Sequence, residues 1–547
     1  MEKFKANIID VVKRKIYTGE IVIEGERIKK IGLINTGIDH EQKYIMPGLV
    51  DSHIHIESSM LIPSVFAHSV FKHGTVATVS DPHEIANVLG IEGVNFMIED
   101  SKRTHLKIYF GAPSCVPATD FESSGAKIDS KSIKSLLEKE EIKFLSEMMN
   151  YPGVINRDKE VMKKLKYAHE AGKPVDGHSP GLRGKELIKY TEAGIKTDHE
   201  CFSLDEAVEK IQSGMRIQIR EGSAAKNFEA LHKLLGLYPE KVMFCLDDMH
   251  PDELLHGHIN NLIKRSLEKE YNLFDVLRAA TYNPVTFYNL NVGLLQEGDA
   301  ADFIIVDDLE NFNILETWID GTNVFKRDEP VNIPNQRIEK KPNLFFVNKV
   351  NENDISIEDR DKKVKIIEAM DGELITKMYI GRPINKNGKL VSDTGNDILK
   401  LVVQNRYEKE KPAVGFIKNF GIQKGGMVST IAHDSHNIIC LGSDDNIILD
   451  LLDWVNFQKG GIAFSDGIKI TGLPLPVAGI MTDEEAETVS TKYLELDKLV
   501  KKAGSNLGAP FMTLSFMSLL VIPEIKLGNK GLFDVNKFDF TDLFVED

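Results

Sequence analysis

At 547 residues the chain is too long for one hydrophobic core, and two to four domains are expected. A formal net charge of −16 and a pI near 5.6 argue against nucleic acid or an anionic membrane surface as partner and favour a small neutral or cationic substrate. Four scattered cysteines, Cys115, Cys201, Cys245 and Cys440, form no CxxC pair, which excludes a disulfide framework or a cysteine zinc site and points to a reducing cytoplasm.

The opening stretch MEKFKANIID lacks the apolar core of a signal peptide. Residues 1–47 read as short strands around glycine turns, as in KIYTGEIVIEGERIKKIGL. From 48 to 290 apolar runs alternate with amphipathic stretches. The runs are YIMPGLVDSHIH, GTVATVSDPHE, LKIYFGAPSC, IKFLSEMMNY, KPVDGHSP, IKTDHECF, RIQIREGS and KVMFCLDDMHP. Between them, DKEVMKKLKYAHEAG, GKELIKYTEAG and SLDEAVEKIQSG end at glycine, as helices tend to. Eight strands each followed by a helix predict an α/β fold of the (β/α)8 TIM-barrel type, whose catalytic groups sit at the C-terminal strand ends. Strand-like sequence returns over 291–345, so the barrel is expected to be inserted in a small β-sandwich domain made of 1–47 and 291–345. A charged connector near 330–345 precedes a separate α+β domain over 346–547. Within it, PFMTLSFMSLLVIP is too short and too polar to span a bilayer.

Six potential metal ligands fall at the predicted strand ends. His53 and His55 end strand one, two residues apart and therefore on one side. Glu147 ends strand four, His178 strand five, His199 strand six and Asp247 strand eight. Imidazoles and carboxylates without thiolate suit Zn, Mn or Fe(II). A carboxylate between two imidazole pairs can bridge two such ions. A lone barrel histidine is more often a packed core group, but six convergent donors make coincidence a poor account. His83 and Glu84 in SDPHE, and Arg220, Glu221 and Ser223 in REGS, are candidate substrate or supporting groups. Asp248 is expected to face away from Asp247 if the strand continues. HIE at 55–57 matches half of the H-x-E…P-C-x-x-C signature of zinc nucleobase deaminases, but no PCxxC is present.

These residues resemble the amidohydrolase superfamily and, within it, the adenine deaminase family. MPGLVDSHIH is similar to the superfamily's strand-one signature. HIESSM, DPHEIANVLG, SEMMNYPGV, DGHSPGL, TDHEC and AHDSHNI are similar to the adenine deaminase versions, and the resemblance runs along nearly the whole chain. It implies a binuclear centre of two divalent ions, usually Mn2+ or Fe2+, with His53, His55 and Asp247 on one and His178 and His199 on the other. Glu147 would bridge where many relatives use a carboxylated lysine. The implied reaction is hydrolytic deamination of adenine to hypoxanthine and ammonia by a metal-bound hydroxide. Asp247 would move the proton to the leaving nitrogen, and either Glu84 or Glu221 would protonate the ring. A cytoplasmic homo-oligomer acting on a small molecule is expected. Another amidohydrolase acting on a cyclic amide or N-acyl substrate, or a non-catalytic metal scaffold, are the alternatives. His433, Asp434 and His436 could pass for a third metal site. A buried polar turn is the preferred reading.

Overall fold

The computed structural model describes residues 1–223, 225–329 and 337–546. Its first strands, β1 (Glu2–Asp10), β2 (Lys15–Glu24) and β3 (Arg27–Asn35), form an antiparallel meander, and β4 (Tyr44–Pro47) lies parallel to β1. The strands β5 (Leu49–His55), β6 (Thr75–Ser80), β7 (Lys107–Ala112), β8 (Ile142–Met148), β9 (Val175–Gly177), β10 (Thr197–Asp198), β11 (Arg216–Arg220) and β12 (Val242–Cys245) follow. Past Leu246, β13 (Asp247–Asp248) continues the course of β12 and pairs with β5. Finally β14 (Phe303–Val306), β15 (Ile314–Ile319) and β16 (Thr322–Lys326) rejoin the opening strands in one sheet of order β16-β15-β14-β4-β1-β2-β3. The run YIMPGLVDSHIH is thus two strands: it breaks at Gly48, with β4 in the small sheet and β5 in the barrel.

Parallel pairing links β13 and β5 through β9, and β10 through β12. The two sets meet where Lys196 N donates to Val175 O at 3.1 Å. On the other side Ser52 Oγ donates to Phe244 O at 2.8 Å, closing the ring. Strands β5 and β6 are buried at every position, as parallel barrel strands sheathed by helices must be. The helix Lys159–Glu170 is capped by Asp158, which accepts from Glu160 N and Val161 N at 2.9 and 3.0 Å.

Two compact units emerge. One comprises Met1–Pro82, Asn95–Cys115 and Asp129–Gln336, holding the small sheet and the barrel together. The other comprises His83–Val94, Val116–Ile128 and Arg337–Asp547. Residues 83–94 and 116–128, expected as part of a barrel domain running from 48 to 290, belong with the C-terminal unit. The reason is their hydrogen bonding: Gly125 N donates to Asn87 O at 2.7 Å, Ser123 N to Asn529 Oδ1 at 2.9 Å, and Asn437 Nδ2 to Ser123 O at 2.9 Å. Residues 330–336 of the charged connector lie outside the described residues.

The C-terminal unit is built on an eight-stranded sheet from Thr376–Gly381 at one edge to Ile470–Pro474 at the other. Helix Asp445–Gln458 packs Ile448, Leu451, Leu452 and Val455, one face at helical spacing, against Val402, Val428, Cys440 and Ala463. No helix among the described residues is long and apolar enough to cross a membrane.

Candidate metal centre and active site

Strand alternation delivers the first two ligands. His53 and His55 leave β5 on the same side, both buried, with ring centroids 4.9 Å apart. His55 Nδ1 donates to Asp81 O at 3.0 Å, an assignment that leaves Nε2 bare and aimed inward. That Nε2 lies 3.1 Å from Asp247 Oδ1 and 3.4 Å from Glu147 Oε1, and His53 Nε2 is 3.4 Å from the same Asp247 oxygen. Glu147 reaches in from β8. Its second oxygen lies 2.7 Å from His178 Nδ1 and 3.3 Å from His199 Nε2, so one carboxylate faces both imidazole pairs. The His53 and His199 rings stack at 4.1 Å. All six expected ligands are therefore brought together.

Close backbone approach makes this possible. A Cβ on Gly177 would meet Thr197 O at 2.3 Å, so only glycine lets β9 pass β10 closely enough to present His178 beside His199. A Cβ on Gly222 would likewise meet Leu246 O at 2.1 Å and Asp248 O at 2.4 Å, where strand eight turns to present Asp247. Asp247 itself has φ +59, a left-handed conformation that costs a non-glycine residue free energy and redirects its carboxylate.

The acids expected in supporting roles separate clearly. Asp248 turns from the cluster and accepts from Ser58 Oγ at 2.5 Å. Ser223 donates to Glu253 Oε2 at 2.6 Å and accepts from His250 N at 2.9 Å, so its hydroxyl braces a loop. Glu221 is paired with Arg265 and accepts from Phe228 N at 3.3 Å. Arg220, expected against substrate, is buried and committed to Asp247, Glu200 and the Ala225 carbonyl. Sequence reasoning missed Glu200. It follows His199 directly, is buried, and lies 3.4 Å from His199 Nε2 and 3.8 Å from His178 Nδ1. It also missed Lys210, wholly buried, which donates to Ser179 O at 2.7 Å and lies 3.2 Å from Asp198 Oδ2, and so ties together the segments carrying His178 and His199.

The electrostatics follow from packing so many charges in a dry place. Burial drives the Glu147 carboxyl up, but His178, with hydrogen bonds from His199 and His55, holds it well below its usual range. Burial acts likewise on Asp247 and is outweighed by Arg220 and His199. The His53 imidazole is pushed down to about 4 by burial and by His199, whereas Glu200 and Glu147 overcome burial and carry His178 up to about 9.

The donor set fits divalent ions. Both ring nitrogens of His53 and Nδ1 of His199 are buried without a hydrogen-bond partner among the described residues. Groups His53–His55–Asp247 and His53–Glu147–His199 bring one ligand atom each within 4.8 Å of one another. The 3.1–3.4 Å separations around Asp247 Oδ1 run from the long end of hydrogen-bond distances to beyond it. They match donors sharing one ion at bonds of about 2 Å.

In the C-terminal unit a second buried group forms around Glu84. Its Oε1 lies 2.7 Å from His433 Nδ1 and 3.4 Å from His83 Nε2, and its Oε2 pairs with His436 Nε2.

A TIM-type barrel presenting four histidines, Glu147 and Asp247 at its strand ends is the arrangement of a metal-dependent amidohydrolase. Residues 44–324 match the amidohydrolase family, and residues 373–539 match the adenine deaminase C-terminal domain. Adenine deaminase from Methanosarcina mazei is 51% identical over 560 residues, covering 100% of both chains. That from a Sulfurovum species is 50% identical over 541 residues, covering 99% of each, and that from Borreliella burgdorferi is 44% identical, again covering 99% of each. The chain belongs to the adenine deaminase family.

Proposed function

We propose that the protein hydrolyses adenine at C6, adenine and water giving hypoxanthine and ammonia. The observation that carries this reading is the likeness to adenine deaminases over the entire chain, both family regions included. His53, His55 and Asp247 would hold one divalent ion, His178 and His199 the other, and Glu147 would be shared. Donors of nitrogen and oxygen alone suit Mn2+ or Fe2+, with Zn2+ also accommodated. When bound, such ions supply Lewis acidity and make water nucleophilic near neutral pH.

The chain's own groups must move two protons. Asp247, with Oδ1 toward the imidazoles and Oδ2 held by Arg220, is suited to take a proton from the attacking water and return it to the departing amino nitrogen. Ring protonation at N1 needs a second acid. Glu84 is our choice because it follows the end of β6, a barrel position where catalytic groups belong. Purine salvage in the cytoplasm is the setting proposed. Four buried free cysteines support a reducing compartment. The exposed apolar residues Met378, Tyr379 and Ile380 on the sheet-edge strand support a homo-oligomer. The test is ammonia release from adenine by metal-loaded protein, with cyclic amides and N-acyl amino acids as competing substrates. Turnover of those and not of adenine would overturn the reading.

A further inference from the structure

The histidine pair of the C-terminal unit has no place in the metal centre, yet it is built as carefully. His433 and His436, 349 and 352 residues from Glu84 along the chain, each address one of its carboxylate oxygens. All three side chains are buried. Each imidazole is fixed from behind. The His433 ring stacks on Phe516 with centroids 4.6 Å apart and planes 13° off parallel, and its backbone N–H donates to Ser515 O at 2.9 Å. His436 stands at φ +52, and its Nδ1 accepts from Ala432 N at 3.3 Å. A ring nitrogen that accepts an amide proton carries none, so the hydrogen of His436 sits on Nε2 and is donated to Glu84. The fully buried Arg406 secures this turn, donating to the carbonyl oxygens of His436 and Ala478 at 3.3 and 2.7 Å. Tyr407 Oη adds a bond to Ser435 O at 2.5 Å.

The 2.7 Å His433–Glu84 separation is that of a direct hydrogen bond. We infer that His433 and His436 are positioning residues: they clamp the Glu84 carboxylate by one imidazole N–H on each oxygen and so fix the group that exchanges a proton with the purine ring. This rests on the assignment of Glu84 to that exchange. The two histidines act only through Glu84.

The experiment measures kcat, KM for adenine and metal content in full-length E84Q, H433A, H436A, H433N, H436Q and E84Q/H433A. Asparagine keeps a donor near the Nδ1 position used by His433, and glutamine keeps one near the Nε2 position used by His436. The expected result is a kcat lowered by about 10²-fold or more in E84Q, H433A and H436A with KM little changed and both metals retained. H433N and H436Q should recover to within about tenfold of the parent, and E84Q/H433A should fall no further than E84Q. Activity in H433A and H436A close to that of the parent, additive loss in the double variant, or a metal lost from either alanine variant would each overturn the clamp. If E84Q is inactive while both alanine variants are active, the assignment of Glu84 stands and the clamp alone fails. If E84Q turns over at the parent rate, both fall.

Discussion

Arg220 holds Asp247 from behind, donating to Oδ2 at 2.5 Å while the other oxygen of that carboxylate faces His55. The same guanidinium pairs with Glu200, so one buried cation compensates two buried carboxylates. Removing one partner from such a group leaves uncompensated charge where water cannot reach it, at a cost of about 3–5 kcal/mol. R220M should therefore unfold at markedly lower temperature in the metal-stripped state, with a smaller loss when divalent ions are supplied to neutralise the acids. Equal melting temperatures for parent and R220M without metal would show that Arg220 does not perform this compensation.

Glu147 addresses both imidazole pairs, with Oε1 toward His55 and Oε2 toward His178 and His199. E147Q keeps the shape but loses the charge and one acceptor. Metal analysis should find the content of both ions reduced together. Loss of a single ion, with the other at full occupancy, would remove Glu147 from the shared position.

D247N and D248N separate the two adjacent acids. Asp247 faces the histidines, and Asp248 accepts from Ser58. D247N should lower kcat by about 10²–10⁴, the range typical of a lost proton-transfer group, because an amide still offers an oxygen but carries no proton. D248N should stay within about tenfold of the parent. Steady-state kinetics giving the reverse order would reassign the strand-eight acid.

How much of this was legible in the sequence depended on whether the signal was local. His53 and His55 were readable because strand alternation is a local rule, and β5 obeys it. The choice between Asp247 and Asp248 was not, since the φ of +59 at Asp247 breaks the alternation that would have decided it. Glu200 follows its strand and has no periodicity to mark it; proximity to His199 in TDHEC was the available hint. His433 and His436 lie outside any helix or strand, in a turn with His436 at φ +52, and no periodicity marked their approach to Glu84. Assignment of residues 83–94 and 116–128 to the C-terminal unit was equally hidden, because it arises from contacts hundreds of residues apart in sequence.

Glu122 supplies a pH signature separate from the metal centre. Its buried carboxyl is pushed up to about 8, first by desolvation and then by Asp434, against a hydrogen bond from Ser435. The native state thus keeps a proton that the unfolded chain releases above its ordinary value of 4.5. Stability from this group is fully present below that value and declines as pH rises toward 8, by up to about 1.4 kcal/mol per pH unit. E122Q should match the parent in thermal unfolding near pH 5 and exceed it at pH 9. A parallel pH profile in the two proteins would mean that Glu122 is ionised in the fold.

Truncation after residue 345 tests the dependence of the inserted segments on the C-terminal unit. Helix His83–Leu89 and the stretch 116–128 are members of that unit. Deletion strips Glu84 of His433 and His436, Ser123 of its bonds with Asn529 and Asn437, and leaves Ile85, Val88 and Val116, all buried in the intact chain, without those neighbours. Exposing these apolar side chains together with an unpaired carboxylate favours aggregation over a folded barrel. The truncated chain is expected to be insoluble or, if recovered, inactive toward adenine. Soluble truncated protein with the full chain's kcat would make residues 346–547 an appendage, and would count against any part for them in the reaction.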